Sequence, residues 1–201
     1  MSAFSSDSTH FLTHFGLYDV ATGTLKTEYT VDNYYNLSQA NPGSKSWLKI
    51  SNTAFSLNRR CIAAIYLERS GTIWLWDILT DTLTATLQGD PGVRYYGGTT
   101  AFSPDGTIFV AKNLDGDAVL WDVATGTEIG ILPHLHDMSH IQTFSPDSTI
   151  LVTVDYAARS MNFWDTKTAT QLYTIRSYLS KGVFSPDGTT FATIENENVV
   201  L

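Results

Sequence analysis

Short segments in which β-branched, aromatic and aliphatic residues dominate recur along this 201-residue chain, each followed by a cluster of Ser, Pro, Asp, Gly or Thr. TIFVAK at 107 to 112, AVLWDV at 118 to 123 and EIGILP at 128 to 133 are typical. Their length and composition predict strands, and a helical period fits them poorly. The punctuation recurs as well. A Phe anchor stands at Phe4, Phe55, Phe102, Phe144 and Phe184, with gaps of 51, 47, 42 and 40 residues. A second anchor, an aromatic residue followed by Asp, stands at Tyr18-Asp19, Trp76-Asp77, Trp121-Asp122 and Trp164-Asp165. The two anchors keep phase, so the period is structural: four antiparallel strands every ~40 to 45 residues.

The turns explain the punctuation. Ser-Pro-Asp-Gly offers a type I turn Ser at its first position, Pro pre-set at the second, Asp at the third and Gly at the fourth. After the aromatic-Asp pair come Val-Ala-Thr-Gly at 20 to 23 and 123 to 126, Ile-Leu-Thr-Asp at 78 to 81 and Thr-Lys-Thr-Ala at 166 to 169, and then Thr24, Thr82, Thr127 and Thr170 in one equivalent position. Gly23 and Gly126 accept a positive φ easily and Asp81 tolerates it, whereas Ala169 would carry roughly 1 kcal/mol of strain there. Residues 95 to 103, 139 to 145 and 180 to 185 are expected to be the inner strands of successive units.

The stretch FSPDGTIFVAKNLDGDAVLWDVATGTEIGIL, residues 102 to 132, resembles a WD40 repeat, and weaker copies cover almost the whole chain. The resemblance implies a β-propeller whose blades, typically about seven, form a rigid platform for protein partners. The expected fold is therefore all-β, a partial β-propeller of four-stranded antiparallel blades in a single domain over residues 1 to 201. Its repeats are 1–30, 48–88, 95–133, 139–175 and a truncated 180–201, with 31–47 a loop insertion rich in Asn, Ser, Tyr and Gly. Trp76, Asp77, Asp115, Trp121, Asp122, Trp164 and Asp165 carry the structural signature. In the family a His before the Phe anchor, a Ser or Thr, a turn Asp and the Trp share a buried hydrogen-bond network. Here Asn113 stands near the Ser position, Asp90 near the His, and residues 156 to 160 hold no turn Asp. No copy is complete, so apolar stacking is expected to hold the blades together. The first copy is about five residues short in its second and third strands, since Phe4 to Tyr18 spans 14 residues where Phe102 to Trp121 spans 19. Seven blades would need about 295 residues, so the chain is expected to be a piece of a longer array.

Charge narrows the partners. With 12 Lys and Arg against 20 Asp and Glu, the formal charge is -8. That leaves no footprint for nucleic acid or an anionic membrane surface. The single cysteine, Cys61, forms no internal disulfide and is read as a small buried hydrophobe rather than a nucleophile. No apolar run approaches the ~20 residues of a membrane span, and no leader pattern opens the chain, so an intracellular location is expected. His134, His136, Asp137 and His140 form the densest set of metal-ligand types, yet they are read as a polar loop. His10 and His14, roughly 13 Å apart in a strand, are too distant to share an ion. No metal, cofactor or catalytic residue is assigned. Arg94, Tyr95, Tyr96, His134, His136, His140, Arg159 and Tyr178 are the candidates for contact with an unknown protein partner, taken as loop residues of the types enriched at interfaces. The expected function is a non-catalytic interaction scaffold. An enzyme or small-ligand-binding propeller of another family and a non-functional gene fragment are the alternatives. Exposed terminal faces lead to an expectation of self-association for the isolated chain.

Overall fold

The computed structural model describes residues 3–4, 9–12, 16–28, 48–55, 61–67, 72–77, 82–89, 95–113, 115–133, 139–176, 179–195 and 198–200. The expected insertion at 31–47 lies outside them, as do Asp81 and Asp90. The described residues contain strands and turns and no helix. They form five antiparallel sheets, the expected all-β blade architecture of a partial propeller. The chain divides into two compact units, Met1–Gly98 and Thr99–Leu201, taken here in turn.

The first unit holds two four-stranded sheets. One comprises β1 (Ala3–Phe4), β2 (His10–Leu12), β3 (Gly16–Asp19) and β4 (Leu25–Glu28). β2 and β3, the strands in which the deficit is expected, have three and four residues. The other comprises β5 (Leu48–Phe55), β6 (Cys61–Leu67), β7 (Thr72–Asp77) and β8 (Thr82–Gln88). Cys61 opens β6, paired with Phe55, and its side chain lies outside the described residues.

The second unit holds three sheets. The third sheet is β9 (Tyr95–Phe102), β10 (Ile108–Asn113), β11 (Ala118–Asp122) and β12 (Glu128–Leu132). The fourth is β13 (Ser139–Phe144), β14 (Ile150–Asp155), β15 (Ser160–Asp165) and β16 (Gln171–Arg176). The fifth has three strands, β17 (Leu179–Phe184), β18 (Phe191–Glu195) and β19 (Asn198–Val200). The inner strands fall within a residue of the expected spans, and Trp121 and Trp164 occupy equivalent places. Trp121 pairs with Phe109 and Glu128, Trp164 with Leu151 and Gln171, and both stand at a bulge against the outer strand.

Alternation along each strand sends side chains to opposite faces, and both faces of the fourth sheet are buried against a neighbouring sheet. Val110, Leu120 and Leu132 of the third sheet pack with Phe144, Leu151 and Trp164 of the fourth. Val152, Val154, Met161 and Phe163 on the other face of the fourth sheet pack against Phe184 and Phe191 of the fifth. Both faces being covered explains why β10 and β14 read as nearly continuous apolar runs instead of alternating ones. At about 1.5–3 kcal/mol per fully buried large side chain, this stacking is the main favourable term.

Two contacts between sheets are made by backbones under strain. Ala169 adopts φ 54° at the turn position where Gly23 and Gly126 take 66° and 71°, so the strain expected from its sequence position is present. Its methyl lies where a Cβ on Gly130 would come within 2.7 Å. Gly130 is therefore glycine because the next blade's turn lies on top of it. Ala169→Gly is expected to raise stability by up to about 1 kcal/mol by relieving the left-handed conformation, and Gly130→Ala to lower it by about 1–3 kcal/mol through overpacking. In urea denaturation the double variant should recover much of the Gly130→Ala loss. Strict additivity of the two effects would contradict the contact.

Candidate functional site

Each blade has two edges of different character. The register Ile108↔Asp122 and Ile150↔Asp165 puts the Ser-Pro-Asp turns and the aromatic-Asp turns on one edge. The turn joining Asn113 to Asp117 and the turn joining Asp155 to Ser160 lie on the other.

On the first edge the carboxylates are consumed by the turns. Asp105 Oδ1 accepts from Ser103 Oγ at 2.6 Å and from Thr107 N and Oγ1 at 3.0 and 2.9 Å. Ser103 Oγ in turn accepts from Ile108 N at 2.9 Å, while Gly106 N closes the turn on Ser103 O. The same arrangement recurs at Ser145-Asp147-Thr149-Ile150 and at Ser185-Asp187-Thr189-Thr190. In the aromatic-Asp turns, Asp19, Asp122 and Asp165 accept from both the N–H and the hydroxyl of Thr22, Thr125 and Thr168. These six acids are structural.

Sequence reasoning missed one device here. Ser148 replaces the turn glycine at φ 64°, and its Oγ accepts from Asp105 N of the preceding blade at 3.2 Å. The serine trades backbone strain for a bond between blades.

The second edge is irregular. Asn113, not Asp115, closes the first turn: its Oδ1 accepts from Asp117 N at 2.8 Å while Asp115 stays exposed. The equivalent turn in the fourth sheet is closed by Asp155, whose Oδ1 accepts from Ala158 N at 2.8 Å. The chain needs an acceptor at the turn's start, and in both turns the last residue of the strand provides it. Lys112 is buried, and its Nζ donates to Ser139 O of the next blade at 3.1 Å, tying the two blades together at this edge. A cation removed from water needs such partners.

Around this tie the structure brings together some of the expected contact residues. His140 is exposed on β13, and its ring meets Tyr156 edge-on with centroids 5.5 Å apart. Arg159 is exposed in the Asp155–Ser160 turn at φ 51°. Tyr156, 40% exposed, belongs to this cluster. Its clue was its place in a turn, residues 156 to 159, that holds no Asp, Asn or Gly. Tyr95 and Tyr96 open strand β9, as the inner-strand span 95 to 103 predicts and in keeping with the strong β preference of tyrosine, and do not lie in the loop before it. Their side chains, and Arg94, His134, His136 and Tyr178, lie outside the described residues. Among the described residues no group of three His, Cys, Asp or Glu is placed to hold a metal ion, and no helix is long and apolar enough to cross a membrane.

Between the two edges, one leg of the expected buried network is present. Trp164 Nε1 donates to Thr153 Oγ1 at 2.9 Å. The equivalent position in the third sheet is Ala111, which has no hydroxyl to offer.

No protein-family profile matches the chain. Among curated proteins it is similar to the small ribosomal subunit protein RACK1 of Brassica napus, 25% identical over 154 residues, covering 77% of this chain and 45% of that protein. It is 27% identical over 116 residues to RACK1 of Caenorhabditis elegans, covering 58% and 34% respectively. It is also 32% identical over 82 residues to the transcription factor unc-37 of Caenorhabditis elegans, covering 41% of this chain and 13% of that one. The chain thus spans less than half the length of each of these relatives.

Two outcomes follow from this geometry. Thr153→Val should cost about 1–3 kcal/mol, because it leaves the indole N–H buried without its acceptor, whereas Thr168→Val, on an exposed turn, should cost less than 1. Thermal melts of the two variants check the ranking. The turn carboxylates also set a pH dependence. Hydrogen bonds from the Ser185 hydroxyl, then from Thr189, hold Asp187 down to about 2, against an ordinary value of 3.8. The Thr22 hydroxyl does the same for Asp19, the Thr125 N–H for Asp122, the Ser145 hydroxyl for Asp147 and the Thr168 hydroxyl for Asp165. Burial raises Asp105, but donors led by Ser103 outweigh it and bring it below the ordinary value. With folded values depressed, the stabilisation is complete above the unfolded value and is lost as pH falls from about 4 towards 2. The urea midpoint should be flat from pH 7 to 5 and drop below pH 4. An Asp122→Asn, Asp165→Asn, Asp187→Asn variant should start lower and drop less steeply. Parallel pH curves for the two proteins would exclude these acids as the cause.

Proposed function

Because the chain is built of WD40-type repeats, we propose that it is a non-catalytic scaffold that presents the irregular blade edge to a protein partner. The observation that carries this reading is the division of labour between the edges. Among the described residues the six turn acids of the regular edge are occupied within their own turns, which leaves no set of convergent free carboxylates among them for chemistry. The irregular edge carries exposed Tyr156, Arg159 and His140 over a rigid base of stacked sheets tied by Lys112. Tyr and Arg on a rigid support are the residue types that dominate interface energetics, because ordering them on binding costs little. Likeness to a small ribosomal subunit protein and a transcription factor supports a role within macromolecular assemblies. The partner is a protein rather than nucleic acid, since the charge of -8 disfavours phosphate. His134, His136 and Tyr178 belong to the same proposed surface through their positions in the repeat, and Arg94, Tyr95 and Tyr96 are candidate contact residues of the first unit.

The test is a comparison of edges. Tyr156→Ala combined with Arg159→Ala should weaken capture of the partner by about tenfold or more, with a melting temperature within about 3 °C of the parent. Thr125→Ala on the regular edge should leave capture unchanged. Equal losses at both edges, or loss of binding only in step with loss of folding, would overturn the reading.

A further inference from the structure

Arg159 adopts φ 51° at the end of its turn, the place that Gly116 fills at φ 93° in the third sheet. Each directly precedes the residue opposite the turn's opening acceptor, Asp117 opposite Asn113 and Ser160 opposite Asp155. Glycine takes a left-handed conformation at little cost, and a long side chain does not. Ser148 and Ala169, the other non-glycine residues with a positive φ among those described, sit at contacts between sheets. Arg159 is exposed at the irregular edge instead. Strain kept at an exposed position is a pointer to function, and the neighbours of Arg159 say which.

Arg176 ends β16 opposite Ser160 and is exposed. Ser160 shares the face of β15 that carries Trp164, the face packed on the third sheet, so the surroundings of Arg176 belong to the third and fourth sheets. In the sheet order β13, β14, β15, β16 this edge therefore runs His140, Tyr156, Arg159, Arg176. The ring pair of His140 and Tyr156 stands inward, the two guanidinium groups outward. Among the described residues of the edge, 139–140, 155–160 and 175–176, the single acid is Asp155, which is buried and accepts from Ala158 N. In a chain of formal charge -8 this edge is locally cationic. The corresponding turn of the third sheet is the reverse, with Asp115 exposed and Asp117 half-buried. The sign of charge thus changes from one blade edge to the next.

We propose that the edge of the fourth sheet, His140, Tyr156, Arg159 and Arg176, recognises a short acidic segment of a protein partner, with an apolar residue over Tyr156 and carboxylates at alternate positions on the two arginines. This inference rests on the scaffold reading and adds the chemistry of the partner. Guanidinium groups take carboxylates in paired, charge-assisted hydrogen bonds, which supply direction as well as energy. Neighbouring strands lie about 5 Å apart and alternate residues of an extended chain about 7 Å apart, a difference that arginine side chains span. His140 acts as a positioning residue, its ring holding that of Tyr156 from the side. The acids of the third-sheet turn limit the ligand. A segment whose negative charge ran on past the fourth sheet would meet Asp115, about one sheet spacing of 10 Å away, so the acidic run is confined to one blade edge.

Three fluorescein-labelled peptides on the 201-residue chain test this by anisotropy: GLSESEG, its amide counterpart GLSQSQG and its basic counterpart GLSKSKG. The glutamate peptide should bind saturably, the glutamine peptide at least about tenfold more weakly and the lysine peptide not at all. Binding of the glutamate peptide should weaken between about 50 and about 300 mM salt. Arg159→Gly is the decisive variant, because glycine suits the turn: it should melt no lower than the parent and yet bind the glutamate peptide at least about tenfold more weakly. A chain with Arg159→Glu and Arg176→Glu should exchange its preference for the lysine peptide. Should that variant not fold, the three peptides on the unaltered chain and on Arg159→Gly decide the matter. Absence of saturable binding, equal binding of the glutamate and glutamine peptides, or full binding by Arg159→Gly would each overturn the proposal. If the glutamine peptide binds as well as the glutamate one and both need Tyr156, the acidic partner is excluded while the scaffold reading stands. That reading fails separately, on partner capture that ignores the edge.

Discussion

A slip of one residue in any of these hairpins would turn every core side chain to the wrong face. The turn carboxylates oppose that slip. Asp105, Asp147 and Asp187 each gather a serine hydroxyl, a threonine hydroxyl and a backbone N–H onto one oxygen. Asp19, Asp122 and Asp165 do the same work at the next turn with a single threonine. Each bond is modest and exposed or only partly buried, but together they set where a strand begins. The register then determines which residues reach the core. Leu120 and Leu132 meet Leu151 and Trp164 because the turns have already aligned them.

Strain appears where one blade touches the next. Ser148 and Ala169 hold left-handed conformations that glycine would accept more easily. Ser148 bonds to the turn of the preceding blade, and Ala169 packs on Gly130. In both cases local backbone energy is exchanged for a contact between sheets. This exchange is sensible in a stack, where a single sheet has no core of its own and stability resides in its interfaces.

The two edges of the blades diverge for the same reason. The turn acids that set register are engaged in their own turns, which is why the proposed binding surface is assigned to the opposite edge. There Asn113 and Asp155 close turns of different shape, and His140, Tyr156 and Arg159 are exposed.

Most of the fold was legible in one dimension, because turn chemistry is local. Ser-Pro-Asp-Gly, the aromatic-Asp pair and the threonine beyond it act on neighbours within about six residues, and their spacing alone determined the strands, the hairpin order and the strain at Ala169. Apolar stacking as the main cohesion was legible too, from the gaps in the polar network. What lay beyond reach depended on residues some 40 positions apart. Ser148 as an acceptor for Asp105, Lys112 reaching Ser139 and Gly130 lying under Ala169 are all contacts between successive blades. Thr153 as the partner of Trp164 is a contact between adjacent strands, and only its burial makes it matter. Sequence by itself determined each blade, since a hairpin is closed by its own turn. Tertiary structure decided what each blade presents to the next, since that depends on which side chains meet across sheets when the faces stack.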